Sequence, residues 1–194
     1  MPRNSRALYD TSFQWDKTLF YAGDPEESTE MLIRYETLDD IDAIHDLTWT
    51  AFKPMSYSDD TEAEIIRKLR AAGDLTISLV AEEDGEILGH VAFSWVTIDG
   101  VHGGWFGLGP ISVKPERQRQ GIGKALIARG LELLDERGAS GCALIGNPDV
   151  YGRVGFGSDG QLTYLDLDAR LVQRIILRGP APSGTLQFAP AFES

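Results

Sequence analysis

The sequence predicts an α/β protein in which helices flank a mixed sheet. Residues 109–138 run from a strand with β-branched residues, through a turn that holds two glycines, into a helix with one apolar stripe. Residues 75–98 contain two apolar runs joined by Asp84-Gly85, which is a strong hairpin signal. The 194 residues, 42% of them hydrophobic, are enough for one domain with a proper core. We therefore expect a single α/β domain built around these two segments.

Composition excludes several classes of function. The net charge of −12 argues against nucleic acid as a partner, because neutralising phosphates needs a large basic face. No apolar run approaches the roughly 20 residues of a membrane span. The single cysteine, Cys142, allows no internal disulfide, and the three histidines show no ligand spacing. We expect a cytoplasmic protein without a metal site and without a membrane segment.

The first 30 residues differ from the rest of the chain. They mix polar residues, Gly and Pro with five aromatic residues and show neither helical nor strand periodicity. These features predict an N-terminal arm over 1–30 and a domain over 31–194. We expect the arm to dock through its aromatic side chains rather than to add a strand to the sheet.

Two helices are expected after the first strand, 31–35. Thr37 is placed to begin the first helix, whose opening turn carries two aspartates that suit the positive end of the helix dipole. Residues 58–62 resemble a cap for the second helix, and Gly73 is a natural end for it. The hairpin strands 75–82 and 86–98 follow.

The strand 105–113 has an irregular interior. Gly107, Gly109 and Pro110 lie within it, and such residues normally mark a bulge or a broken ladder. The apolar strand 141–145 is expected after the long helix, and Asn147-Pro148 should begin a short helix that contains Tyr151. Three further strands are predicted at 161–165, 174–177 and 185–188.

The turn 118–124 has the properties of an anion site. Its glycines lie where the first amides of the following helix are still unpaired, so a phosphate can approach the backbone. Four basic residues surround the turn in sequence with only Glu116 to oppose them: Lys114, Arg117, Arg119 and Lys124. The spacing fits neither a P-loop nor a dinucleotide-binding fingerprint. A local basic patch on an acidic protein indicates one bound polyanion.

Three motifs in this region resemble the GNAT superfamily of N-acetyltransferases. Gln118-x-x-Gly121-x-Gly123 is similar to its [Q/R]-x-x-G-x-[G/A] signature, in which the turn holds the coenzyme A pyrophosphate. A branched apolar strand ending in V-x-P precedes the turn, and Y-x-x-x-G-F follows at 151–156. The segments G-L-G-P-I-S-V, I-G-N-P-D-V-Y and G-T-L-Q-F-A-P-A-F resemble the YhbS-like branch. The resemblance covers about 31–194.

The resemblance implies a fold and a cosubstrate. The fold is a mixed, mostly antiparallel sheet that splays between two parallel strands, with flanking helices and a helix–loop–helix pair at the acceptor-binding edge. The cosubstrate is acetyl-CoA, with pantetheine bonded to the strand backbone and pyrophosphate on the turn. The residues implied to contact it are Ile111, Ser112, Val113, Gln118, Arg119, Gln120, Gly121, Ile122, Gly123, Lys124 and Asn147.

The implied reaction is direct acetyl transfer to an amine, and Tyr151 matches the family tyrosine that protonates the leaving thiolate. No covalent enzyme intermediate is needed, so Cys142 is interpreted as a buried strand residue. The sequence does not select the general base. Five residues are candidates: Glu62, Glu64, Asp99, His102 and Asp149.

Two other classes of function compete with the enzyme. The first is a non-catalytic module that binds acyl-CoA and keeps the turn without transferring the acyl group. The second is an interaction protein whose aromatic arm is the functional part. The tyrosine at 151, together with the intact turn, favours the enzyme. The expected partners are acetyl-CoA and an unidentified amine acceptor, and a homodimer is left open.

Overall fold

The computed structural model describes residues 31–55 and 61–193. The predicted arm, 1–30, lies outside the described residues, and so does most of the segment predicted to cap the second helix. The first strand is β1, Leu32–Tyr35, and two helices follow it, α1, Ile41–Phe52, and α2, Glu62–Ala72. Gly73 ends α2 in the left-handed conformation, with φ of 75°, as the sequence predicts.

The hairpin and the long helix form where the patterns place them. Strands β2, Leu75–Glu83, and β3, Glu86–Ile98, are joined by Asp84 and Gly85, both with positive φ, as a tight hairpin turn requires. Strand β4, Trp105–Val113, leads through the turn into α3, Ile122–Glu136. The elements that follow are β5, Gly141–Ile145; α4, Pro148–Tyr151; β6, Leu162–Thr163; β7, Val172–Ile176; and β8, Gly184–Phe188.

The strands form one mixed sheet in the order β1-β2-β3-β4-β5-β7, with β8 paired to the end of β3 and to β6. The pairs β1-β2, β2-β3, β3-β4, β5-β7 and β3-β8 are antiparallel, whereas β4-β5 and β6-β8 are parallel. The predicted fold class, a mostly antiparallel mixed sheet flanked by helices, is therefore confirmed.

The strand predicted at 161–165 is shorter than expected. Only Leu162 and Thr163 pair in this stretch of the described chain, with β8. Leu165 has φ of 46° and an exposed side chain, so the backbone turns away before a longer ladder can form. Leu165 is an apolar residue in a turn, and the sequence pattern alone does not distinguish such a residue from one in a strand.

Helices cover the two faces of the sheet differently. Helix α3 packs on one face, where Leu126 and Leu131 meet Phe93 of β3. Gly130 allows this close approach, because a Cβ there would lie 2.2 Å from Phe93 Cε2. Helices α1 and α2 cover the opposite face with a second cluster of apolar side chains: Ile44, Leu47, Ile66, Val80 and Ala92. Strands β3 and β4 therefore lie between two packed layers.

Candidate active site

Strands β4 and β5 pair over three residues of β4 and then separate. The parallel register runs from Trp105 opposite Gly141 to Gly107 opposite Ala143. Past that point β4 carries a bulge, because its pairing with β3 jumps from Leu108 opposite Phe93 to Ile111 opposite Val91. The predicted irregularity at 107–110 is thus present. It marks the place where the two parallel strands splay.

The splay exposes backbone groups of Ile111 and Val113. The Lys114 amide donates to the Leu88 carbonyl at 2.9 Å, so Lys114 and Leu88 form a hydrogen-bonded pair across the two antiparallel strands. By alternation, Ile111 and Val113 occupy the non-hydrogen-bonded pairs with β3, and their N–H and C=O groups point toward the β5 side. In the described part of the chain, β5 does not reach them. This edge can accept an extended ligand that carries amide groups.

The turn after β4 ends in an unpaired helix start. Gly121 has φ of 91°, in the left-handed region, and its carbonyl accepts the first helical bond from the Ala125 amide at 2.9 Å. The amides of Ile122, Gly123 and Lys124 precede that bond and have no acceptor among the residues the structure describes. These amides and the dipole of the 15-residue helix α3 give the turn the properties that an anion-binding site needs.

The predicted basic patch around the turn is wrong in part. Lys114 pairs with Glu86, and the Arg117 guanidinium lies 2.8 Å from Glu83 Oε2. Both glutamates come from the β2-β3 hairpin, about 30 residues earlier in the chain, so the local sequence does not show them. The exposed side chains of Arg119 and Lys124 form no ion pair within the described residues. The positive field of the turn therefore rests on those two residues and on the amides.

Three polar residues that are predicted to contact the cofactor form hydrogen bonds to the protein's own backbone. Gln118 Nε2 donates to the Val113 carbonyl at 3.2 Å and so ties the turn to the end of β4. Gln120 Nε2 donates to the Glu116 carbonyl at 3.1 Å. Asn147 Oδ1 accepts from the Asp149 amide at 2.9 Å and caps α4. These hydrogen bonds hold the turn and the start of α4 in place, and the contacts of the three residues to the cofactor stay a prediction.

Tyr151 lies at the edge of the sheet where the splay opens. It ends α4, which directly follows β5, and β4 and β5 are parallel, so their carboxyl ends share one edge. Its half-buried ring packs against Gly146, where a Cβ would lie 2.4 Å from Tyr151 Cε2, and meets Phe156 edge-on at 6.3 Å. The turn, the exposed strand backbone and a tyrosine hydroxyl therefore belong to the same edge.

The structure gives other contacts to three of the five candidate bases. Glu64 accepts from Arg67 Nε at 2.7 Å on the surface of α2. Asp99 Oδ1 accepts from the Thr185 amide at 2.8 Å and holds β8 against the end of β3. The His102 ring packs edge-on against Trp95, with centroids 4.8 Å apart. Each of these contacts holds its side chain within the fold, and the three side chains do not meet at one place. Asp149 is exposed in the first turn of α4.

Sequence reasoning missed a polar network beneath α1 and α2. Both carboxylate oxygens of Glu36 accept from Arg70, at 2.8 and 2.9 Å, and Oε2 also accepts from Ser78 Oγ at 2.5 Å. Ser78 Oγ lies 2.8 Å from Nε2 of the fully buried His90. Burial alone would raise the pKa of Glu36, but the interactions with His90, Arg70 and Ser78 outweigh it and lower that pKa to about 2.

Cys142 is fully buried in β5, and burial raises the pKa of its thiol well above the usual range. The thiol is therefore not placed to act as a nucleophile, in agreement with its interpretation as a strand residue. Within 31–55 and 61–193, no group of three or more His, Cys, Asp or Glu side chains is arranged to hold a metal ion. None of the described helices is long and apolar enough to cross a membrane.

Comparison with known proteins places this site in a family. Residues 40–156, which include β4, the turn, α3 and Tyr151, match the model of the Acetyltransferase (GNAT) family. The chain belongs to that family. It is an acyltransferase of the GNAT type, and the identification agrees with the resemblance seen in the turn and in the residues on either side of it.

Relatives of known structure support the GNAT assignment. A GNAT family acetyltransferase from Brucella melitensis, solved in complex with acetyl-CoA, has 44% sequence identity and a TM-score of 0.77; the match covers 85% of this chain and 99% of that one. The YhbS acetyltransferase of Escherichia coli, solved with CoA, has 29% identity and a TM-score of 0.79 over 90% of this chain and 97% of that one.

A curated sequence relative points the same way. The uncharacterized N-acetyltransferase YhbS of Escherichia coli K12 is 37% identical over 127 residues, which are 65% of this chain and 73% of that protein. The resemblance to the YhbS-like branch of the GNAT family is therefore confirmed.

Proposed function

We propose that the protein transfers the acetyl group of acetyl-CoA to a primary amine by direct attack. The observation that carries the proposal is the alignment of two backbone features along one edge of the sheet: the outward-facing groups of Ile111 and Val113 and the unpaired amides that begin α3. An extended pantetheine arm with its amides fits the first feature, and a pyrophosphate fits the second. Acetyl-CoA supplies the activated thioester.

The residues present fit the cosubstrate. Gly123 places the start of α3 against the end of β4, since a Cβ there would meet Ile111 Cδ1 and Val113 Cγ2 at an ordinary 3.7 Å. The amides of Arg119 and of 121–124 bind the pyrophosphate, and the side chains of Arg119 and Lys124 add positive charge. The Val113 carbonyl is already engaged by Gln118, so Ile111 and the Val113 amide carry the contacts to pantetheine. The relatives bound to acetyl-CoA and to CoA support the same assignment.

Tyr151 Oη donates a proton to the departing thiolate in this proposal. The ring is fixed by its packing on Gly146 and Phe156, so the hydroxyl is held in one place, as a proton donor in a transition state requires. The tyrosine therefore favours an enzyme over a module that only binds acyl-CoA, because such a module needs no proton donor.

A screen of acetyl-CoA turnover across amine classes tests the proposal, with release of free thiol as the measurement. Small amines, amino acids, polyamines, aminoglycosides and peptides with free N-termini form the set. We expect amine-dependent thiol release with at least one class. Coenzyme A binding without turnover on any class would favour the binding module instead. Absence of binding, measured by calorimetry, would show that the site itself is assigned wrongly.

A further inference from the structure

The face of the sheet beneath α1 and α2 carries a row of buried polar side chains next to the proposed site. Five polar residues on this side are buried: Thr48, Ser78, His90, Ser94 and Ser112. Such groups normally find partners inside the protein, because a buried polar atom without a hydrogen bond has lost its water and gained nothing in return. In the described part of the chain, His90 Nδ1 has no hydrogen-bond partner, and His90 is completely buried.

The hydrogen bonds on the other side of the ring fix its tautomer. Glu36 is ionised and accepts from Ser78 Oγ, so the single hydroxyl proton of Ser78 is committed to the carboxylate. Ser78 Oγ must therefore accept from His90, which places the ring proton on Nε2. Nδ1 of the neutral ring is then unprotonated, and its lone pair can accept a proton. A carboxylate orients the histidine through a hydroxyl and leaves its other nitrogen ready to take a proton.

His90 lies directly beside the proposed pantetheine-binding backbone. It is opposite Ser112 in the β3-β4 register, and Ser112 lies between Ile111 and Val113. Ser112 Oγ is 3.1 Å from Thr48 Oγ1 of α1, so polar atoms continue from the ring toward the helix that covers this face. The bulge at 109–110 is opposite the next residue of β3 on the same face, Ala92. His90 thus lies on the same face of β3 as the residue opposite the bulge, two positions along the strand from it.

We propose that His90 Nδ1 accepts, through water, the proton that the attacking amine loses, with Ser78 and Glu36 as its positioning residues. The inference rests on the proposed acetyl transfer and names the base that the sequence left open. An N–H bond of the bound ammonium breaks and an Nδ1–H bond forms on His90. The freed amine then attacks the thioester carbonyl, so that a C–N bond forms and the C–S bond breaks, and the acylated nitrogen gives its surplus proton to water. Tyr151 gives the thiolate its proton. The imidazolium and the tyrosinate that result return to neutrality by proton exchange with solvent.

The charges around His90 suit this role. Burial lowers the pKa of His90, and the carboxylate of Glu36 opposes that shift, while Arg70 adds to it. The ring is therefore neutral and able to accept a proton at neutral pH. Glu36 Oε2, 3.7 Å from Nε2, stabilises the positive charge once the ring is protonated. Ser112, which is opposite His90 on β4, and Thr48 of α1, which contacts Ser112, do not titrate.

The variant His90→Gln separates a base from a packing residue. A glutamine amide can still donate to Ser78, and its oxygen can still accept a hydrogen bond, but the side chain cannot take up a proton. With the most active amine of the screen, we expect kcat/KM at pH 7 to fall by at least about 10-fold. The deficit should shrink as pH rises, because the amine then loses its proton to solvent unaided. Coenzyme A affinity and circular dichroism should be unchanged.

His45→Gln is the matched control, since this exposed histidine of α1 contacts Asp46 at the surface. Its pH profile should follow that of the wild type. An equal loss for His90→Gln at every pH would show a packing role, and full activity at pH 7 would also overturn the proposal. Either result leaves acetyl transfer standing. Absence of turnover with every amine would instead remove the proposed function, and this inference would fall with it.

A second measurement does not depend on the acceptor. Nitrogen-15 NMR of the histidine rings, with His90 assigned through the signal lost in His90→Gln, reports which ring nitrogen carries the proton. We expect the Nε2–H tautomer at pH 7 in the wild type and a mixture of tautomers in Ser78→Ala. A proton on Nδ1 in the wild type would overturn the assignment of that atom as proton acceptor.

Discussion

The proposed site uses backbone groups on one side of β4 and side chains on the other. Toward β5 the proposed site consists of backbone groups, from Ile111 to Lys124, that are close together in sequence. Under α1 and α2 it consists of side chains whose positions in the chain are far apart, from Glu36 to His90. The first arrangement needs particular glycines at fixed spacing and so leaves a motif. The second needs only that a few polar residues meet across strands, which leaves no local pattern.

A negative charge introduced at the start of α3 should have the largest effect, on the affinity for coenzyme A. Gly123→Glu places a carboxylate at the helix start that receives the pyrophosphate. Because like charges in contact cost several kcal/mol, we expect the Kd for coenzyme A to rise by about 100-fold or more. Gly123→Gln, of the same size, isolates the charge and should lose much less affinity. Calorimetry with coenzyme A measures both, and equal losses would show that bulk rather than charge is excluded.

Removal of the tyrosine hydroxyl should affect the reaction and leave binding alone. Tyr151→Phe keeps the ring that packs on Gly146 and Phe156 and removes the proposed proton donor. We expect kcat to fall by about 100-fold, with coenzyme A affinity little changed. Steady-state kinetics with the best amine and calorimetry on the same preparation measure the two quantities. Unchanged kcat would leave Tyr151 as a packing residue.

The sequence predicts the fold well because its signals are local. The hairpin at Asp84-Gly85, the αL stop at Gly73 and the bulge at 107–110 are each readable within a few residues, and the structure has all three. The basic patch failed for the opposite reason. Its neutralising partners, Glu83 and Glu86, reach the turn only through sheet pairing.

The proposed base, His90, was not predictable for a similar reason. His90 occupies an ordinary inward position of a long apolar strand. Its distinguishing feature is a set of hydrogen bonds to residues 12 and 54 positions away, Ser78 and, through it, Glu36. Charge and burial at such a site depend on tertiary packing, and no spacing rule encodes them.

Replacing Glu36, in the network of side chains under α1 and α2, should lower the stability of the protein in a pH-dependent way. Glu36→Gln weakens the charged hydrogen bonds to Arg70 and Ser78, so we expect the free energy of unfolding at pH 7 to fall by about 1.5–3 kcal/mol. The pKa of Glu36 is lowered from 4.5 to about 2 in the folded protein. A lowered carboxyl pKa stabilises the fold above pH 4.5, and that contribution is lost as pH falls toward 2.

The difference in stability between wild type and Glu36→Gln should therefore be full at pH 7 and shrink below pH 4.5. Urea unfolding at pH 7, 4.5 and 3 measures it. Glu64→Gln is the control, because Glu64 pairs with Arg67 on the exposed surface of α2, where solvent screens the ion pair and leaves it little effect on stability. A gap that stays constant with pH would mean that the carboxylate charge of Glu36 does not stabilise the fold.

The smallest expected effect is a difference in stability between alanine variants of the two glycines of α3, Gly123 facing the end of β4 and Gly130 facing the Phe93 ring in the core. At Gly130 a Cβ would lie 2.2 Å from the fully buried Phe93 ring, whereas at Gly123 it would make only ordinary contacts at 3.7 Å. Alanine favours a helix by up to about 1 kcal/mol over glycine, but overpacking costs about 1–3 kcal/mol. Gly130→Ala should therefore lose about 1–2 kcal/mol, a fall in Tm of roughly 2–8 °C, while Gly123→Ala should be neutral or slightly stabilising. Thermal unfolding without coenzyme A compares the two directly. A Gly130→Ala protein as stable as Gly123→Ala would show that α3 can shift away from β3, and that the helix start which forms the proposed anion site is less rigidly held than its packing indicates.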